Sequence, residues 1–201
     1  MHEGDPIRAL KKILAGYALP TMSELPSLCG GAVGYFGYDL VRTLERVPAT
    51  ARRELELPLG IFYLTSTLVV FDHVRRTLRV IAIGGPDLDA PRQVESVVAA
   101  LSRPLVTPLP PPERAPSVAP RSNFTAPQFC RAVERAKEYI RKGDIFQVVL
   151  SQRLTGSTAA EPFQVYRALR MINPSPYMVY FDFGGFQMVA SSPEALVKLT
   201  H

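Results

Sequence analysis

The chain has 201 residues, of which 47% are apolar and 20% are charged, a balance typical of a globular protein in one or two domains. The net charge of +5 comes mostly from 18 arginines, against 5 lysines, and these are scattered along the chain. Scattered charge argues against a nucleic-acid-binding face. It leaves a solvated surface, or a positive field that attracts a small dianionic substrate.

No apolar run approaches the roughly 20 residues that span a bilayer, and the N-terminal residues lack the regions of a signal peptide. The sequence therefore predicts a cytoplasmic protein without a membrane partner. Cys29 and Cys130 have no neighbouring cysteine and are expected to be free, partly buried thiols. The histidines are isolated, so neither a metal centre nor a histidine-activated nucleophile is predicted.

In the first hundred residues, apolar spacing predicts a helix over residues 7–17 and a surface helix over residues 89–101. Residues 61–71 and 78–83 are β-branched and apolar, which predicts strands joined by a turn at residues 72–76.

Residues 30–38 are rich in glycine and aromatic side chains and lead towards a short helix from Asp39. Neither the Walker pattern nor the dinucleotide G-x-G-x-x-G pattern is present, so nucleotide binding is disfavoured. A strand in close contact with a neighbouring backbone is the favoured interpretation.

Seven of the nineteen prolines lie in residues 103–120, where they prevent a helix or a central strand. This segment predicts an extended linker. The predicted organisation is therefore an N-terminal region at residues 1–102, a linker at residues 103–122 and a second unit at residues 123–201.

In the second unit, Thr125 and Gln128 predict a capping box and a helix that ends before Gly143. A strand over residues 145–154 should follow, and then a helix over residues 161–172 that two prolines terminate. The remaining predicted elements are strands at residues 177–183, 186–190 and 196–199, the first two joined by Gly184 and Gly185. Mixed helices and antiparallel hairpins predict an α+β fold.

Three motifs follow one another in this second unit. They are Phe-Gln-Val-Val-Leu-Ser-Gln-Arg at residues 146–153, Asn-Pro-Ser-Pro-Tyr-Met at 173–178 and Ser-Ser-Pro-Glu at 191–194. Together they resemble the chorismate-utilising enzymes, and within them the branch that forms anthranilate. Gly-Tyr-Phe-Gly-Tyr-Asp at residues 34–39 is similar to a stretch of the same family. The resemblance implies antiparallel sheets with packed helices, of which this chain would hold part of a regulatory region and the start of the chorismate-binding domain.

From spacing alone, Gln147 is an exposed strand residue or a satisfied core amide. The resemblance adds a role, because relatives that add water to chorismate carry a lysine base at this place and anthranilate-forming relatives carry glutamine. Water gains from losing a proton before it attacks, whereas neutral ammonia does not need this. Gln147 is therefore a candidate catalytic residue near the nucleophile, and it favours the ammonia-using branch.

Pro176, Tyr177 and Met178 are fully explained as a helix stop followed by a strand. The resemblance implies a second role for them, as part of a pocket for tryptophan acting as feedback inhibitor. Tyrosine and methionine suit contact with an indole ring.

The resemblance further implies that the whole enzyme converts chorismate and ammonia to anthranilate and pyruvate with Mg²⁺, and that a glutamine amidotransferase subunit supplies the ammonia. The Mg²⁺ ligands are expected beyond His201, and Glu194 is not expected to be one. By itself the chain is therefore expected to be inactive and prone to aggregate at unpaired sheet edges. Two alternatives stay open: the p-aminobenzoate-forming branch, and a non-catalytic module that binds tryptophan.

Overall fold

The computed structural model describes residues 5–17, 25–26, 28–50, 54–85, 88–104 and 119–199. The fold is α+β, as predicted, and its strands pair as antiparallel two-stranded sheets. The chain divides into two compact units, Met1–Thr107 and Pro108–His201. Residues 105–118, the larger part of the predicted linker, lie outside the described residues, so the linker stays a prediction. Within the described ranges no helix is long and apolar enough to cross a membrane.

In the first unit, helix α1 (Pro6–Leu14) begins at Asp5, whose Oδ1 accepts a hydrogen bond from the backbone N–H of Ile7 at 2.9 Å. It ends earlier than the predicted residue 17. Strand β1 (Gly31–Phe36) pairs with β2 (Gly60–Thr65), and a 3₁₀ helix (Tyr38–Thr43) follows β1. A Cβ atom at Gly34 would collide with the carbonyl oxygen of Ile61. The glycine is needed for close strand packing, which confirms the interpretation of residues 30–38.

The apolar run at residues 61–71 forms two strands rather than one. β2 ends at Thr65, and β3 (Thr67–Asp72) pairs with β4 (Thr77–Ala82) in a different sheet. Thr65, Ser66 and Thr67 interrupt the apolar run where the chain passes from one sheet to the next. Threonine is common in strands, so these residues are also compatible with one continuous strand, and the sequence prediction missed the break. The predicted hairpin turn between β3 and β4 is confirmed.

Helix α2 (Ala90–Leu101) packs against β4. It begins at Asp89, whose Oδ1 accepts a hydrogen bond from the backbone N–H of Arg92 at 3.1 Å. This is the usual way in which an aspartate at the N-cap satisfies a free donor of the first turn.

In the second unit, strand β5 (Arg121–Ser122) precedes helix α3 (Ala126–Lys142). The predicted capping box is confirmed: Gln128 Oε1 accepts from the backbone N–H of Thr125 at 2.8 Å, and Thr125 Oγ1 accepts from the backbone N–H of Gln128 at 3.4 Å. The helix ends at Gly143, in the left-handed conformation that a helix C-terminus favours.

The predicted strand at residues 145–154 is wrong. Only β6 (Leu154–Thr155) forms a ladder, with β5, and the residues before it have no strand partner among those described. The side chains of Phe146 and Val149 are 93% and 83% exposed. A strand is defined by hydrogen bonds to a neighbouring strand, and an alternating sequence cannot provide that neighbour.

Helix α4 (Pro162–Ile172) leads into the hairpin of β7 (Tyr177–Asp182) and β8 (Gln187–Ser192), as predicted. The expected strand at residues 196–199 is wrong, because these residues pair with no described strand and their apolar side chains are exposed. No side chain among the described residues is fully buried, because each two-stranded sheet is small and offers little surface to the helices.

The two glycines of the β7–β8 turn allow the effect of backbone conformation on stability to be measured without an effect of side-chain packing. A Cβ atom on either Gly184 or Gly185 would have no neighbour within 4 Å, but only Gly184 has a positive φ, of 80°. We expect Gly184→Ala to lower the free energy of unfolding by about 1–2 kcal/mol. Gly185→Ala should leave it unchanged or raise it by about 0.4–1 kcal/mol, because it restricts the unfolded chain. Urea denaturation of both variants is the measurement, and equal effects would contradict the turn geometry.

Candidate functional site

The residues predicted to contact tryptophan lie where the turn between α4 and β7 meets the strand: Pro176 ends the turn, and Tyr177 and Met178 begin β7. Helix α4 ends as Asn173 donates its backbone N–H to the carbonyl of Leu169 at 2.8 Å, and the prolines beyond it prevent another turn. The hydroxyl of Ser191, on β8, donates to the carbonyl of Asn173 at 2.8 Å. A hydrogen bond therefore joins the first residue of the turn at residues 173–176 to the hairpin that follows it.

Aromatic packing sets the orientation of β7 against α4. The ring of Tyr180 meets that of Phe163 edge-on at 5.3 Å between centroids, and it lies 6.0 Å from the ring of Tyr166. Burial among these rings raises the pKa of Tyr180 above its ordinary value, and the carboxylates of Asp182 and Glu161 raise it further. The Tyr180 hydroxyl therefore stays protonated at neutral pH.

Strand alternation separates the predicted ligand-binding side chains. Met178 lies two residues before Tyr180 and so shares its face, on the side of α4, where it is half-buried. Tyr177 lies on the opposite face and is 48% exposed. The structure therefore brings Pro176, Tyr177 and Met178 together along the backbone, but it points the last two side chains in different directions.

Ser175, between the two prolines of this turn, was not singled out by the sequence. Its Oγ atom is buried and has no hydrogen-bond partner among the described residues. A buried hydroxyl of this kind is costly, because the polar atom loses its water without gaining a substitute. No sequence pattern could have identified it, since its burial depends on the packing of the whole turn.

Gln147 lies in the segment that the structure leaves outside any strand. Its side chain is exposed and makes no hydrogen bond with any described residue. Only the far end of the segment is held in place. There the Nε2 of Gln152 donates to Ser122 Oγ at 2.7 Å, and the backbone N–H of Arg153 donates to Asn123 Oδ1 at 2.8 Å.

Within the described residues, no group of three or more histidine, cysteine, aspartate or glutamate side chains could hold a metal ion. Both cysteines are free, as expected, but Cys130 is exposed rather than partly buried. The described part of the chain therefore does not provide a fitting Mg²⁺ site.

Comparison with known proteins identifies the family. Residues 3–201 match the family model for the chorismate binding enzyme, and the chain therefore belongs to this family. It is 39% identical over 209 residues to anthranilate synthase component 1 of Acetivibrio thermocellus, covering 98% of this chain and 42% of that protein. It is also 36% identical over 204 residues to aminodeoxychorismate synthase component 1 of Bacillus subtilis, covering 98% of this chain and 42% of that protein.

Among solved structures, the chain is similar to the crystal structure of anthranilate synthase component I from Streptococcus pneumoniae TIGR4, with a TM-score of 0.77 and 28% identity. The match covers 99% of this chain and 46% of that one. The chain thus spans less than half the length of these relatives.

Ser175, in the turn at residues 173–176, and Ser191, on β8, should change the stability in opposite directions when each is replaced by alanine. Ser191→Ala removes the hydrogen bond to Asn173, and we expect it to lower the free energy of unfolding by about 1 kcal/mol. Ser175→Ala removes a buried hydroxyl that has no partner in the described part of the chain, so stability should be unchanged or rise by about 1 kcal/mol. Thermal or urea unfolding of both variants measures this, and destabilisation by Ser175→Ala would show that its hydroxyl is satisfied in solution.

Proposed function

We propose that this chain is part of the large subunit of an anthranilate synthase. The observation that carries the proposal is the family match across residues 3–201, joined to the similarity with anthranilate synthase component 1 proteins. The reaction of the whole enzyme would add ammonia to chorismate, displace its hydroxyl and eliminate pyruvate to give anthranilate. The protein would act in the cytoplasm, in tryptophan biosynthesis.

Gln147 supports the ammonia-using branch. Its amide is uncharged and cannot serve as a base at neutral pH, whereas attack by water would benefit from one. Neutral ammonia carries its own lone pair and needs only to be held in position. In the proposal, the exposed amide of Gln147 supplies a hydrogen bond near the nucleophile once the active site is complete.

Tryptophan would bind at Pro176, Tyr177 and Met178 as a feedback inhibitor. Because Tyr177 and Met178 point to opposite faces of β7, an indole ring would contact one of these side chains together with the backbone of the turn. The other side chain would act by fixing the strand. The hydrogen bond between Ser191 and Asn173 would then transmit a conformational change of the turn to β8.

Two partners and one cofactor complete the proposal. A glutamine amidotransferase subunit, anthranilate synthase component II, would deliver ammonia. Mg²⁺ would neutralise a carboxylate of chorismate and orient it when bound. The described residues offer no fitting cluster for the metal, so the proposal assigns them no step through it. The chain alone would be inactive.

The similarity to aminodeoxychorismate synthase component 1 supports a second candidate, a p-aminobenzoate-forming enzyme. Relatives of that branch tend to carry Tyr-Gln-Val-Asn-Leu-Ala-Gln-Arg where this chain has Phe-Gln-Val-Val-Leu-Ser-Gln-Arg, and they lack Pro-Tyr-Met. Residues 146–153 and 176–178 therefore favour anthranilate. A non-catalytic module that binds tryptophan is the third candidate.

The product distinguishes the candidates. The complete protein, incubated with chorismate, Mg²⁺ and an ammonium salt, should release anthranilate, which is detected by its fluorescence and by mass. Aminodeoxychorismate as the product would favour the second candidate. Tryptophan binding without any turnover of chorismate would favour the third.

Regulation can be tested with two methionines of one hairpin. Met178 and Met188 are both half-buried, but they lie on opposite faces and near opposite ends. We expect Met178→Ala to raise the tryptophan concentration that half-inhibits the complete enzyme by about tenfold, which corresponds to about 1.4 kcal/mol of lost contact. Met188→Ala should leave it unchanged. A similar shift in both variants would indicate a general loosening of the hairpin and would count against a tryptophan site at Met178.

A further inference from the structure

We draw no further inference here: the strongest candidate, the exposed apolar surface patch that Phe146 and Val149 form in the segment between α3 and β6, carries none, because nothing among the described residues shows what covers it.

Discussion

The contact between the rings of Phe163 and Tyr166 on α4 and that of Tyr180 on β7 determines the geometry of the second unit. It fixes which face of the hairpin turns towards the helix, and strand alternation then fixes every other side chain of β7. Because Tyr180 faces the helix, Met178 lies on the face of β7 that is turned towards α4, and Tyr177 lies on the opposite face. The same packing positions the turn at residues 173–176, and the hydrogen bond from the Ser191 hydroxyl to the carbonyl of Asn173 stabilises that position.

Local chemistry made much of this unit predictable. The capping box at Thr125 and the glycine at Gly143 define the ends of α3 through atoms within a few residues of each other. The Gly184–Gly185 turn defines a hairpin in the same way. These elements are predicted well because their hydrogen bonds are short-range, and a sequence window contains both the donor and the acceptor.

The predictions that were wrong concern residues whose packing or hydrogen-bond partners lie far away in the sequence. Residues 145–153 alternate as a strand should, but the ladder that would make them one depends on a partner distant in sequence. The break at Ser66 depends on which sheet each half of the run joins. The burial of Ser175 depends on the packing around a whole turn. At the candidate site, the sequence thus located the motif that carries Pro176, Tyr177 and Met178, but not the divergence of their side chains or the unsatisfied hydroxyl beside them.

The turn at residues 173–176 holds a polar group that no described residue satisfies. At this turn the group is a buried hydroxyl, which costs stability wherever it lacks a partner. An isolated hydroxyl can donate to or accept from many partners, so it does not by itself specify a class of ligand.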